Sequence, residues 1–165
     1  LASEVSLSFE MDLNALQAFV VKAKKSCYVG GGGGGRAPSS RLASHDLTYI
    51  EEEWAYRDSY FGGTDFIGQE TVWLQNEPVW SMCYYGYVLR SDLITPTQAG
   101  QVLKEALSLP TSQGRLLDNL TFRDDRFDFK IESHGDIKHF KGRETITSDG
   151  ILAYALDYFG GLIRP

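Results

Sequence analysis

The chain has 165 residues, 42% of them hydrophobic and 23% charged, with a net charge of −6 and a pI near 5.0. One domain spanning 1–165 is the default at this length, long enough to bury a sizeable core. The acidic balance argues against a nucleic-acid partner, which needs clustered Lys and Arg, and no apolar run reaches the roughly 18 residues that would cross a membrane.

Residues 1–11 read as a lead-in with a short strand at Val5–Phe9. They lack the basic-plus-apolar pattern of a signal peptide, and the expected location is cytoplasmic. Asp12 caps a helix running to about Lys25, with Leu13, Leu16, Phe19, Val20 and Ala23 on one face. Lys22, Lys24 and Lys25 crowd its last turn and suit the helix dipole. A Gly-rich loop, 30–36, follows, and the run to His45 is loop. Strands come next: Leu47–Ile50, Trp54–Phe61, Asp65–Leu74 and Pro78–Val88, with turns at Glu51–Glu52 and Gln75–Glu77. A second helix opens with Thr95 as cap and Pro96 at its first position. Val102, Leu103, Ala106 and Leu107 give it an apolar face, and Pro110 stops it. After a loop over Thr111–Asn119, a second strand set begins with Leu120–Arg123 and Phe127–Ser133 and runs on to Ile163. It contains Asp149-Gly150, a strong hairpin signal.

Shifting the chain by 74 positions aligns Phe66–Leu89 with Phe140–Ile163 without a gap. Phe66 falls on Phe140, Gly68 on Gly142, Glu70 on Glu144, Trp80 on Tyr154 and Tyr84 on Tyr158. Internal similarity of this kind takes precedence in reading a fold. The resulting expectation is an α+β domain of two pseudo-symmetric repeats, about 12–89 and 95–163. Each would be a helix followed by about four antiparallel strands.

The chemistry-bearing residues fall in three groups. In the second copy Lys141, Arg143, Thr145 and Thr147 form a polar face, so Glu144 faces inward, and Glu70 does so by the same alternation. An inward carboxylate must be paired, hydrogen-bonded or protonated. Either tyrosine hydroxyls and backbone N–H groups satisfy the two Glu, or they line a cavity for a polar or cationic ligand. Asp58, at period two with Tyr56 and Tyr60, and the aromatic residues Trp80 and Tyr84 extend that lining. In the Gly-rich loop, Arg36, Ser39, Ser40 and Arg41 could supply donors to an anion, although the loop is neither a P-loop nor a dinucleotide fingerprint. His45, His134 and His139 show no metal-ligand spacing, and no cofactor or metal is expected. Cys27 and Cys83 read as unbridged thiols.

Several stretches together resemble an uncharacterised domain family: Tyr28-Val-Gly-Gly-Gly, Ser39-Ser40-Arg41, Asp46-Leu-x-Tyr49, Asp58-Ser-Tyr-Phe-Gly-Gly63, Phe66-x-Gly-x-Glu70-x-Val-Trp73 and Pro78-Val-Trp-x-Met-x-Tyr-Tyr-Gly86. The likeness covers about residues 15–163. Members of that family occur alone or fused to helix-turn-helix (XRE-type) bacterial regulators. The resemblance implies a sensing or ligand-binding role and no catalytic residues. The sequence therefore points first to a small-molecule-binding or sensing domain. The alternatives are an enzyme using the paired carboxylates as acid and base, and a protein-interaction module working as a homodimer.

Overall fold

The computed structural model describes residues 11–29, 33–108 and 119–164. The strand expected at Val5–Phe9, glycines 30–32, the Leu107 side chain, Pro110 and the loop over 111–118 lie outside the described residues.

Helix α1 spans Leu13–Lys24. The Asp12 carboxylate accepts from the backbone N–H groups of Asn14 (2.9 Å) and Ala15 (3.1 Å), which satisfies two otherwise orphaned donors of the first turn. The chain leaves α1 through a π-helical turn, Lys25–Val29, which carries the helical path past its expected end near Lys25. Helix α2 spans Pro96–Ser108. Thr95 and Gln98 form a reciprocal cap. Gln98 N–H donates to Thr95 Oγ1 (3.2 Å), and Thr95 N–H donates to Gln98 Oε1 (2.9 Å).

The strands are β1 (Gly35–Ala37), β2 (His45–Glu51), β3 (Trp54–Gly62), β4 (Phe66–Leu74), β5 (Glu77–Val88), β6 (Leu120–Arg123), β7 (Phe127–Asp136), β8 (His139–Ser148) and β9 (Ile151–Leu162). All belong to one antiparallel sheet of order β1-β2-β3-β4-β5-β9-β8-β7-β6. The β4–β5 and β8–β9 turns put Gln75, Asn76, Asp149 and Gly150 at positive φ. Asp-Gly tolerates that conformation well, and the Gln-Asn pair adopts it without a glycine.

One face of the sheet is covered. It presents Tyr56 and Asp58 of β3, Glu70 and Val72 of β4, Trp80 and Met82 of β5, and Tyr154 and Leu156 of β9, all buried. Leu16, Phe19, Val20 and Ala23 of α1 join this core, as do Ala99, Val102 and Ala106 of α2. Helix α1 packs on β2 and β3, and α2 packs on β7 and the π-helical turn. Each large side chain buried here contributes about 1.5–3 kcal/mol. The other face leaves Ile67, Tyr85 and Phe159 exposed on β4, β5 and β9.

The expected layout of two helix-plus-strand repeats is therefore corrected to a single β-rich domain. Strands β5 and β9 pair over nine residue positions, so the ladder runs without a break from β1 to β6. Two helices of 12 and 13 residues serve a common core rather than one half each. The similarity that suggested repeats lies on strands sharing one covered face. Gly68 lies beneath the Tyr84 ring and Gly142 beneath Tyr158, where an added Cβ would stand 2.5 and 2.2 Å from the nearest ring atoms. Strands of one sheet carry such a common face pattern without forming separate units.

Candidate functional site

Between the covered face, the end of α1 and α2 lies a cavity of about 510 Å3. Its walls combine apolar side chains, such as Phe66, Met82, Leu103, Ile131 and Leu156, with an ionisable cluster. Asp58 and Glu70 stand directly opposite each other on β3 and β4. Like charges so placed repel, since directly opposed Cβ atoms lie roughly 4.5–5.5 Å apart. Both side chains are nevertheless buried, Asp58 at 0% and Glu70 at 2% exposure.

Two sets of donors make this arrangement tolerable. Lys24, the last residue of α1, places its Nζ 2.8 Å from Glu70 Oε1 and 3.1 Å from Oε2. The hydroxyl of Tyr84 donates to Asp58 Oδ1 (2.7 Å), and that of Tyr28 donates to Asp58 Oδ2. Tyr28 and Tyr56 hydroxyls lie 3.4 Å apart. Burial works against the charge on Lys24, but Glu70 first, then Glu144 and Asp58, outweigh it and raise its pKa. The ammonium therefore stays charged. Burial pushes Asp58 up to about 6 and the neighbouring Glu70 adds to this, against the stabilising hydroxyls of Tyr28 and Tyr84. Burial likewise raises Glu144 to about 7, opposed by Lys24 and assisted by Glu70. Cys27, beside this cluster, has its thiol pushed up to about 11 by burial and by the charges of Asp58 and Glu70. It is a poor nucleophile at neutral pH.

On the β8–β9 side the pairing is incomplete. Glu144 is partly buried and makes no hydrogen bond among the described residues. Tyr154 is buried, and its hydroxyl has no partner among the described residues. Tyr158 is held differently, by a hydrogen bond between its hydroxyl and Ser133.

Of the residues singled out from the sequence, Asp58, Tyr60, Glu70, Tyr84 and Glu144 line the cavity together. Tyr56 lies behind them on the Tyr28 hydroxyl. Trp80 is core, stacked on Phe140 with ring centroids 5.7 Å apart. The Gly-loop donors lie elsewhere. Arg36 is exposed on β1, and Ser39 donates to the carbonyl of Ser44. Arg41 donates to the backbone carbonyl (2.7 Å) and hydroxyl (2.9 Å) of Ser59, with its guanidinium over the Phe61 ring at 4.5 Å. Ser39 and Arg41 serve a structural network around Asp46, which accepts from the hydroxyls of Ser44 (2.7 Å) and Ser59 (2.9 Å). The inward Glu residues also differ from expectation in their partners. Tyrosine hydroxyls go to Asp58, and Glu70 takes a lysine. Lys24, Tyr28 and Tyr154 complete the site, and sequence reading did not single them out.

No group of three or more His, Cys, Asp or Glu among the described residues could hold a metal ion, and no helix among them is long and apolar enough to cross a membrane. No curated protein and no solved structure matches the chain. A family profile, by contrast, matches residues 58–163, from the buried Asp58 through both cavity-lining glutamates to the end of β9. The chain belongs to that family, described as a domain of unknown function (DUF5680).

Proposed function

We propose that the protein is a small-molecule-binding domain whose ligand occupies the cavity beneath α2. The observation that carries this reading is a cavity of about 510 Å3 that joins apolar walls to three carboxylates, two of them fully buried, and a lysine paired with one of these. Binding sites for small molecules commonly span about 300–1,000 Å3 with a few convergent polar groups in an apolar lining. A protein that needed only stability would do as well with apolar residues in place of the ion pair. The resemblance to domains joined to helix-turn-helix regulators adds support for a sensing role.

Native mass spectrometry of gently purified protein, set beside the denatured chain, tests the reading. A mass excess that vanishes on denaturation is expected. Gly100 lines the cavity on α2, and an added Cβ there meets nothing within 4 Å. Gly100→Trp should therefore fill the cavity, keep the fold and lose the excess. If both chains run at their bare mass and bind the neutral dye Nile red equally, the reading fails.

A second reading is favoured by one observation. Asp58 near 6 and Glu144 near 7 titrate close to neutrality, where general acids and bases work best. Turnover of the co-purified molecule, lost in Asp58→Asn with binding retained, would establish an enzyme.

A further inference from the structure

We infer that the cavity takes an organic cation, an ammonium or amidinium head on an apolar body, with the head seated between Glu144 and Tyr154. The inference rests on the small-molecule reading above and specifies its ligand class.

Most of the charges that face the cavity already have partners. Three carboxylates line the cavity, those of Asp58, Glu70 and Glu144. Lys24 gives both of its short contacts to Glu70, at 2.8 and 3.1 Å. Asp58 is satisfied by the hydroxyls of Tyr28 and Tyr84. The other cation of the lining, Lys104, is exposed on α2. Among the described residues, Glu144 is the carboxylate for which no donor remains.

A second observation points to the same place. Tyr154 is 1% exposed, lines the cavity, and has a hydroxyl without a hydrogen-bond partner among the described residues. Buried hydroxyls are seldom left so, and each exception calls for a cause. In the β8–β9 ladder Glu144 faces Leu156 while Tyr154 faces Ile146. The two side chains are thus diagonal neighbours on one face, within reach of a single small head group. The Glu144 charge also bears on the Tyr154 hydroxyl, whose pKa is raised first by burial and then by that carboxylate.

A carboxylate and a phenol oxygen together accept from an N–H donor. An ammonium can donate to both at once, and its charge offsets the surplus of carboxylate over lysine. A carboxylate ligand would meet Lys24 already paired and would face three like charges. A neutral apolar ligand would leave Glu144 and Tyr154 unpartnered. Beyond the head site the walls are Phe66, Met82, Leu103, Ile131 and Leu156, which suit an aliphatic or aromatic body.

Isothermal titration of the whole chain at pH 8 with octylammonium, octanol and octanoate, each below its micellar range, tests the assignment. Octylammonium should bind at least about tenfold more tightly than octanol, with octanoate weakest. Glu144→Gln should remove the advantage of the ammonium over octanol. Tyr154→Phe should reduce that advantage a few-fold and serves as the second variant should Glu144→Gln fold poorly. Octanoate binding as tightly as octylammonium overturns the inference. So does an ammonium preference that survives Glu144→Gln. Octanol binding with no ammonium preference sinks the cation assignment alone. Failure of all three probes to bind sinks the small-molecule reading with it.

Discussion

Asp46 and Asp58 sit on neighbouring strands, β2 and β3, both buried, and their surroundings push them in opposite directions. In the β2–β3 ladder Asp46 faces Ser59 while Leu47 faces Asp58, so the two carboxylates project from opposite faces of the same strand pair. On the outer face, burial alone would raise Asp46, but the hydroxyls of Ser40, Ser44 and Ser59 hold it down to about 2. The Arg57 guanidinium lies 3.7 Å away. On the covered face, Asp58 shares its cavity with two more carboxylates and a single paired lysine, and it rises to about 6. Every oxygen of the first carboxylate has a donor supplied by the fold. The second belongs to a group in which the fold supplies fewer donors than acceptors. A satisfied carboxylate is a structural tie, and a cluster short of donors has capacity to accept one from a ligand.

The contrast can be broken by removing either centre. Asp46→Ala strips the acceptor from Ser44, Ser59 and the Ser40 N–H, and should cost about 3–4 kcal/mol in urea unfolding at pH 7. Lys24→Met leaves Glu70, Asp58 and Glu144 without their shared cation. It should cost about 2–3 kcal/mol at pH 8 and clearly less at pH 5, where protonation relieves the repulsion. Gly68→Ala drives a methyl into the Tyr84 hydroxyl that holds Asp58, and should cost about 2 kcal/mol with a loss of octanol binding by titration. Glu144→Gln is the smallest change and runs the other way. Removing a half-buried charge that has no hydrogen-bond partner among the described residues should add about 1 kcal/mol at pH 8.

The two faces should also separate in their dependence on pH. The folded-state pKa of Asp46 lies below its ordinary value, so the unfolded chain binds more protons between pH 4 and 2. Its stabilisation is present above about pH 4 and lost as pH falls through 2. Asp58 and Glu144 are raised, so the folded chain binds more protons between about pH 4 and 7. Their contribution is present below about pH 4 and lost as pH rises toward 7. Urea midpoints measured from pH 2 to 8 should rise and then fall, with the falling limb flattened in Glu144→Gln. A limb unchanged in that variant would remove Glu144 from the account.

Much of the strand content was legible because alternation is local. The pattern that placed Lys141, Arg143 and Thr145 outward also turned Glu144 inward, and the Thr95-Pro96 start of α2 needed only adjacent residues. Long-range pairing was not legible. Lys24 looks like any lysine closing a helix, because its partner Glu70 lies 46 positions away and only the packing of α1 onto β3 brings them together. Arg41 looked like an anion donor because the residue that needs it, Ser59, lies across a loop and a strand. The β5–β9 seam escaped for the same reason. Both strands alternate correctly, and nothing in alternation says which of several similar strands will be neighbours.

The ladder that unites the molecule ends in very little. Its outermost strands, β1 and β6, have three and four residues, against twelve in each of the central pair β5 and β9. A sheet this wide would otherwise offer long rows of unpaired amides to any extended chain that met it. Tapering restricts what the outermost strands themselves offer to a few positions, one of them occupied by the exposed Arg36. Taper and charge are two of the means by which open sheets avoid edge-to-edge polymerisation. The strand inside β6 is longer than its cover: β6 pairs with residues 128–131 of β7, and the stretch 132–136 of β7 has no strand on that side among the described residues. An extended partner would find its longest open edge there rather than on β1 or β6 themselves.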